Sequence, residues 1–109
     1  MTDYPPPAGI KPHHIKGQIR ALTPGRHPWE RQRGESHNAY QLFCLYRDLG
    51  PFVRSHAAVG RQSGKSKNWT DRLSVRWQWV FRVEQYDSDQ ERQLRHEMEQ
   101  KRLDAMERY

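Results

Sequence analysis

The chain lacks most of what holds small domains together. It has one cysteine, Cys44, so no disulfide can form within it, and a reducing, cytoplasmic setting is the simplest expectation. Only 34% of its 109 residues are hydrophobic, against about 45–50% in an ordinary globular domain. Part of the chain is therefore expected to stay outside any core, and the apolar residues gather between Ala39 and Tyr86. No run approaches the roughly 18 apolar residues of a membrane span, and the N-terminus has no apolar stretch of the kind that opens a secretory signal. A membrane is not expected among the partners.

The residues of the familiar catalytic and metal sites are present but not arranged for them. None of the six histidines forms a His-x3-His pattern, and a lone cysteine makes no Cys-x2-Cys pair, so no metal site is expected. Gly64-Lys65-Ser66 resembles the end of a phosphate loop. That loop needs a glycine five positions before Gly64, and Val59 stands there. No cofactor is expected. The carboxylates lie mostly in the last quarter of the chain, where they alternate with basic residues. No nucleophile elbow or Ser/His/Asp arrangement is visible, so the chain reads as a non-enzyme.

Positive charge is concentrated at the front. Residues 1–83 carry 14 Lys and Arg against 5 acids, and residues 84–109 carry 5 against 8. A polyanion partner is expected for the first part and a different task for the last. Residues 1–35 read as a flexible basic arm. Prolines and glycines interrupt it from Pro5 to Pro28, and Lys11, Lys16, Arg20, Arg26, Arg31 and Arg33 outnumber its acids. Such an arm could follow a phosphate backbone, or be a plain tail. Trp29 is expected to dock on the first helix.

Residues 36–86 read as an all-α domain of three to four helices. Ser36 caps a first helix whose apolar face is Ala39, Leu42, Phe43, Tyr46 and Leu49, and Gly50-Pro51 stops it. Ser55 caps a second helix with Ala58 and Val59 inward, Gly64 turns, and Ser66 caps a third helix to about Arg76, with Trp69 and Leu73 on its inner side. A fourth helix begins near Trp79 and continues nearly to the end. Residues 84–109 hold no Gly or Pro, and Glu91/Arg95, Glu97/Lys101 and Asp104/Arg108 stand at helical pair spacing. Residues 87–109 suit either a solvated helix or an oligomerisation or docking helix.

A helix, a glycine turn and a basic helix together suggest a helix-turn-helix, whose second helix enters the major groove of double-stranded DNA. Lys67, Asn68, Asp71 and Arg72 lie near the start of the third helix, where base edges would be read, with Ser66 as its cap. Arg54, Arg61, Lys65 and Arg76 suit phosphates. From residue 54 to 82 there are seven Lys and Arg and one acid, Asp71. Protein-binding modules use similar three-helix units, so an interaction adaptor remains the alternative of another class.

These residues also resemble a family. Pro28-Trp29-Glu30-Arg31-Gln32, Gly34-Glu35-Ser36, Ala39-Tyr40, Phe43 and Tyr46-Arg47-Asp48-Leu49-Gly50 look like the opening of a group of short bacteriophage proteins. Arg54-Ser55, Val59, Gly64-Lys65-Ser66, Ser74, Arg76-Trp77, Trp79-Val80, Arg82 and Tyr86-Asp87 continue the likeness in the same order. The group is described as terminase small subunits or phage helix-turn-helix proteins. The resemblance spans about residues 28 to 90. It departs at Leu73, where an aromatic is usual, at Thr70, where an aliphatic is usual, and at Gly60, where alanine is usual; these are expected to loosen the core. The resemblance implies a role in packaging viral DNA in a bacterial host. Small terminase subunits bind the genome, often as ring-shaped homo-oligomers, and hand it to the large terminase subunit, which carries the ATPase and nuclease. A phage or prophage transcriptional regulator is the alternative within DNA binding.

Overall fold

Three serines open three helices, as the sequence predicts. In the computed structural model, which describes residues 19–108, Ser36, Ser55 and Ser66 are all extended. Each Oγ accepts the backbone N–H three residues on, at 3.0–3.1 Å. They start α1 (His37–Asp48), α2 (His56–Ser63) and α3 (Lys67–Arg76). The last helix, α4, runs Trp79–Glu107. The fold is all-α, with no strand among the described residues. Gly50 (φ 86°) follows α1 and Gly64 (φ 76°) ends α2, both in the left-handed region that a side chain would strain.

The core is the predicted one. Ala39, Leu42, Phe43 and Tyr46 of α1 pack with Val59 of α2, Leu73 of α3 and Trp77, Trp79 and Val83. Contrary to expectation, Trp69 does not share the inner side of α3 with Leu73; it is 48% exposed. At about 100° per residue, the buried arc of α3 is centred on Thr70, Leu73, Ser74 and Trp77, which leaves Trp69 one step outside it. The corner between α3 and α4 is also unforeseen. Its left-handed residue is Gln78 (φ 53°), buried, with Nε2 donating to the Arg20 carbonyl at 2.8 Å. That bond helps offset the roughly 1–2 kcal/mol a non-glycine residue costs there.

The largest correction concerns the expected arm. Residues 19–35 are a strap wrapped on the helices, with Thr23, Gln32 and Glu35 buried. Its centre is a bidentate ion pair. Arg82 Nη1 donates to Glu35 Oε2 at 2.8 Å and Nη2 to Oε1 at 3.0 Å, with both side chains fully buried. Arg82 also donates to the carbonyls of Pro28 (2.6 Å), Glu30 (2.9 Å) and Trp77 (3.2 Å), so every guanidinium N–H has a partner. Its plane lies 3.8 Å from the centre of the Phe43 ring. Gln32 completes the strap. Its N–H donates to Glu35, its Oε1 accepts the Thr23 N–H at 2.6 Å, and its Nε2 donates to the Glu30 carbonyl at 2.7 Å. The Trp29 backbone carbonyl accepts the Tyr40 hydroxyl of α1 at 3.0 Å, while its indole, packed against the core, stacks on His27 and meets the Tyr86 ring of α4 edge-on. The expectation for residues 1–18, including Lys11 and Lys16, lies outside the described residues.

The far end of the chain behaves differently. From Gln90 to Arg108 every residue is exposed, and the 29-residue α4, about 43 Å long, carries the molecule to 63 Å in its long dimension. The expected boundary at residue 87 falls inside this one helix, close to where burial ends at Asp89.

Removing one member of a buried ion pair leaves the other charge without compensation, at a cost of about 3–5 kcal/mol. Glu35→Ala should therefore destabilise the fold in urea by an amount of that order, with the strap carbonyls no longer anchored. A change within ~0.5 kcal/mol of wild type would show that the pair does not hold the strap.

Candidate nucleic-acid interface

The helix-turn-helix begins with the approach of α2 to the turn. A Cβ added at Gly60 would stand 2.7 Å from the Lys65 carbonyl oxygen, closer than real contacts allow. Glycine here permits the tight return of the chain and does not loosen the core, contrary to the expectation from the resemblance. The α2 C-terminus closes through Gly64, whose N–H donates to the Gly60 carbonyl at 2.8 Å. Thr70, fully buried, places its Oγ1 2.8 Å from the Lys67 carbonyl and 3.3 Å from the His56 carbonyl. Its hydroxyl therefore ties α3 to the start of α2, which an aliphatic residue could not do.

The nine residues predicted to meet DNA separate into two groups. Arg61, Lys65, Ser66, Asn68, Arg72 and Arg76 are exposed, and no ion pair occupies Arg61, Lys65, Arg72 or Arg76 among the described residues. Asn68, Arg72 and Arg76 follow helical spacing and form one stripe along the outer side of α3, with Lys65 in the turn just before it. Ser66 is occupied as the cap.

The other three are held by ion pairs within the protein. Arg54 is a correction. Its guanidinium pairs with both oxygens of Asp87 on α4, one contact at 2.8 Å, and donates to the Tyr46 and Arg47 carbonyls at 3.1 and 2.6 Å. With 7% of its side chain exposed, it is a brace between the α1–α2 loop and α4 and is withdrawn from any phosphate. Asp71 is a second correction. Its Oδ1 accepts from His56 Nδ1 and its Oδ2 from Lys67 Nζ at 3.0 Å. It faces α2 and offers no free acceptor to a base. Lys67 stays exposed but is turned to the same side.

The residue that sequence reasoning misses is Trp69, which lies beside the basic stripe, between it and Leu73. Its spacing of four from Leu73 points to the core, and only the packed position of α3 separates the two. Trp69 borders a cleft of about 360 Å³ between the first half of α1 and the flank of α3 that faces it. Lys65 and Arg76 also line this cleft, with Asn38 of α1 and Leu73 among the rest.

Burial pushes the Asp71 carboxyl up, but hydrogen bonds from His56 and Lys67 and their positive charge outweigh it and hold the group below its usual range. No helix of the described residues is long and apolar enough to cross a membrane, and no cluster of three or more potential metal ligands occurs among them. Compared with known proteins, the chain matches no family model, no curated protein and no solved structure.

Because the folded-state value of Asp71 is depressed below the unfolded 3.8, its contribution is fully present above that pH and disappears as pH falls through the folded value. Asp71→Asn removes this contribution. The variant's unfolding midpoint should fall less between about pH 5 and pH 3 than that of wild type. Parallel pH profiles would show that the His56–Asp71–Lys67 contact does not couple to stability.

Proposed function

We propose that this protein binds double-stranded DNA through α3, as the DNA-recognising member of a phage packaging apparatus. The observation that carries the DNA reading is the set Lys65, Asn68, Arg72 and Arg76. Asn68, Arg72 and Arg76 stand exposed on the second helix of a helix-turn-helix and Lys65 in the turn before it, and the one acid between residues 54 and 82 is turned away toward α2. On this reading Arg72 and Asn68 face base edges, where guanidinium suits guanine and an amide suits adenine. Lys65, Arg76 and Arg61 lie where they would meet phosphates and set the register.

The packaging role rests on the resemblance of residues 28–90 to terminase small subunits. The structure adds a physical reason why that motif hangs together. Glu35 and Arg82, two of its residues, form the buried pair, and Arg54 and Asp87, two more, form the brace. In this role the chain selects and presents DNA, with a large terminase subunit as the partner that acts on it. Support for a docking or self-assembly role of α4 comes from its outer half, where Leu94, Met98 and Met106 are 56–61% exposed on a stretch that packs on no other part of the described residues.

Fluorescence anisotropy with a duplex oligonucleotide tests the reading. Affinity should fall steeply between ~50 and ~200 mM salt, as counterion release requires. Lys65→Ala or Arg76→Ala should weaken binding to every sequence alike and flatten the salt slope by about 0.9 for each phosphate no longer neutralised. Arg72→Ala should cost about 1–3 kcal/mol on a preferred site and relax the preference for it. No duplex affinity at low salt would contradict the assignment.

A further inference from the structure

The cleft between α1 and α3 has a chemistry that a paired duplex does not use. Its distinctive lining is an aromatic ring between two cations. Trp69 is half exposed, Lys65 stands in the turn before α3 and Arg76 at its C-terminal end. Asn38 brings a side-chain amide from the facing helix, and Leu73 gives the cleft an apolar wall. In a stacked, paired duplex both faces of each base are covered by neighbours. Only an unpaired base can offer a face to the Trp69 indole. A groove that carries cations for the backbone and an aromatic for the base is the arrangement that holds single strands. An acidic peptide would satisfy Lys65 and Arg76, and its backbone would satisfy Asn38, but its carboxylate side chains would bring no planar ring to the indole.

We propose that this cleft is a subsite for one unpaired nucleotide of DNA, its base stacked on Trp69 and its flanking phosphates held by Lys65 and Arg76. The inference rests on the reading of α3 as a DNA-binding helix and extends it. The protein would engage DNA that is locally open, at a strand end, a gap or a flipped base, as well as a closed duplex. Asn38 is placed to bond the edge of the base, which would make the subsite selective among bases. Arg72, one turn from Trp69 on the adjoining stripe, continues the basic track beyond the cleft.

The test uses the full chain, a single-stranded oligothymidylate and a blunt duplex of similar charge. The wild type should bind both, with the single strand quenching tryptophan emission by stacking. Trp69→Ala should weaken single-strand binding by about 5- to 150-fold, the range of one base–aromatic stack, while duplex affinity moves less than about threefold. Trp69→Phe keeps an aromatic and should recover most of the single-strand affinity while losing most of the quench. This variant and the wild-type quench decide the matter even if Trp69→Ala does not fold. Duplex binding without single-strand binding or quench would overturn the subsite and leave the duplex reading standing. A wild type that binds neither ligand would overturn both. Equal weakening of the two ligands by Trp69→Ala would also overturn the subsite, as would competition by polyglutamate as effective as by the oligonucleotide.

Discussion

The structure depends on one buried charge. Arg82 sits in α4 with no contact to water, and nothing in the hydrophobic core can satisfy it. Its partner, Glu35, comes from a segment 47 residues earlier, and its other acceptors are mostly carbonyls of that same segment. Desolvating a guanidinium and a carboxylate costs several kcal/mol each, and the geometry here is of the kind that returns it: bidentate, with every donor used. The pair thereby turns an irregular stretch of chain into part of the domain. Among the described residues ten buried apolar side chains form the rest of the core. The strap enlarges what the helices alone could bury.

The strap also bears on the proposed interface. Its first described residues run to the C-terminal end of α3. There the Arg20 N–H donates to the Arg76 carbonyl at 2.8 Å, and the Arg20 guanidinium lies 5.9 Å from the centre of the Trp77 ring. Gln78 closes the same corner. At its other end α3 is tied to α2 through Thr70, His56 and Asp71. The helix that carries the basic stripe is thus fixed at both ends by polar contacts, and its outer side is left to solvent. A rigid helix with a free cationic side can bind DNA without first being ordered.

The local signals are legible in the sequence and the long-range ones are not. Serine caps, the Gly50-Pro51 stop, the Gly64 turn and the spacing of Ala39, Leu42, Phe43 and Tyr46 locate all four helices almost to the residue, because each signal acts within one or two turns. Residues 19–35 look like an arm because their anchors, Gln32 and Glu35, are polar, and periodicity counts only apolar positions. Arg54 reads as a surface cation for the same reason; nothing local distinguishes a cation bound for solvent from one bound for a buried carboxylate. Trp69 goes the other way, an apolar residue on the outside, because a shift of one residue in the buried arc of α3 decides it. Within the resembled motif, Glu35 with Arg82 and Arg54 with Asp87 turn out to be partners, a link that order along the chain does not reveal.

The central claim, that residues 19–35 belong to the cooperative unit through Arg82, is tested most directly by native-state hydrogen exchange on the unaltered chain. The amides of Arg20, Gln32 and Glu35 all donate within the protein. They should exchange at the same opening free energy as those of Phe43 and Val83, in a single global event. Exchange at the three strap amides that is orders of magnitude faster, at the rate of a fraying terminus, would contradict it.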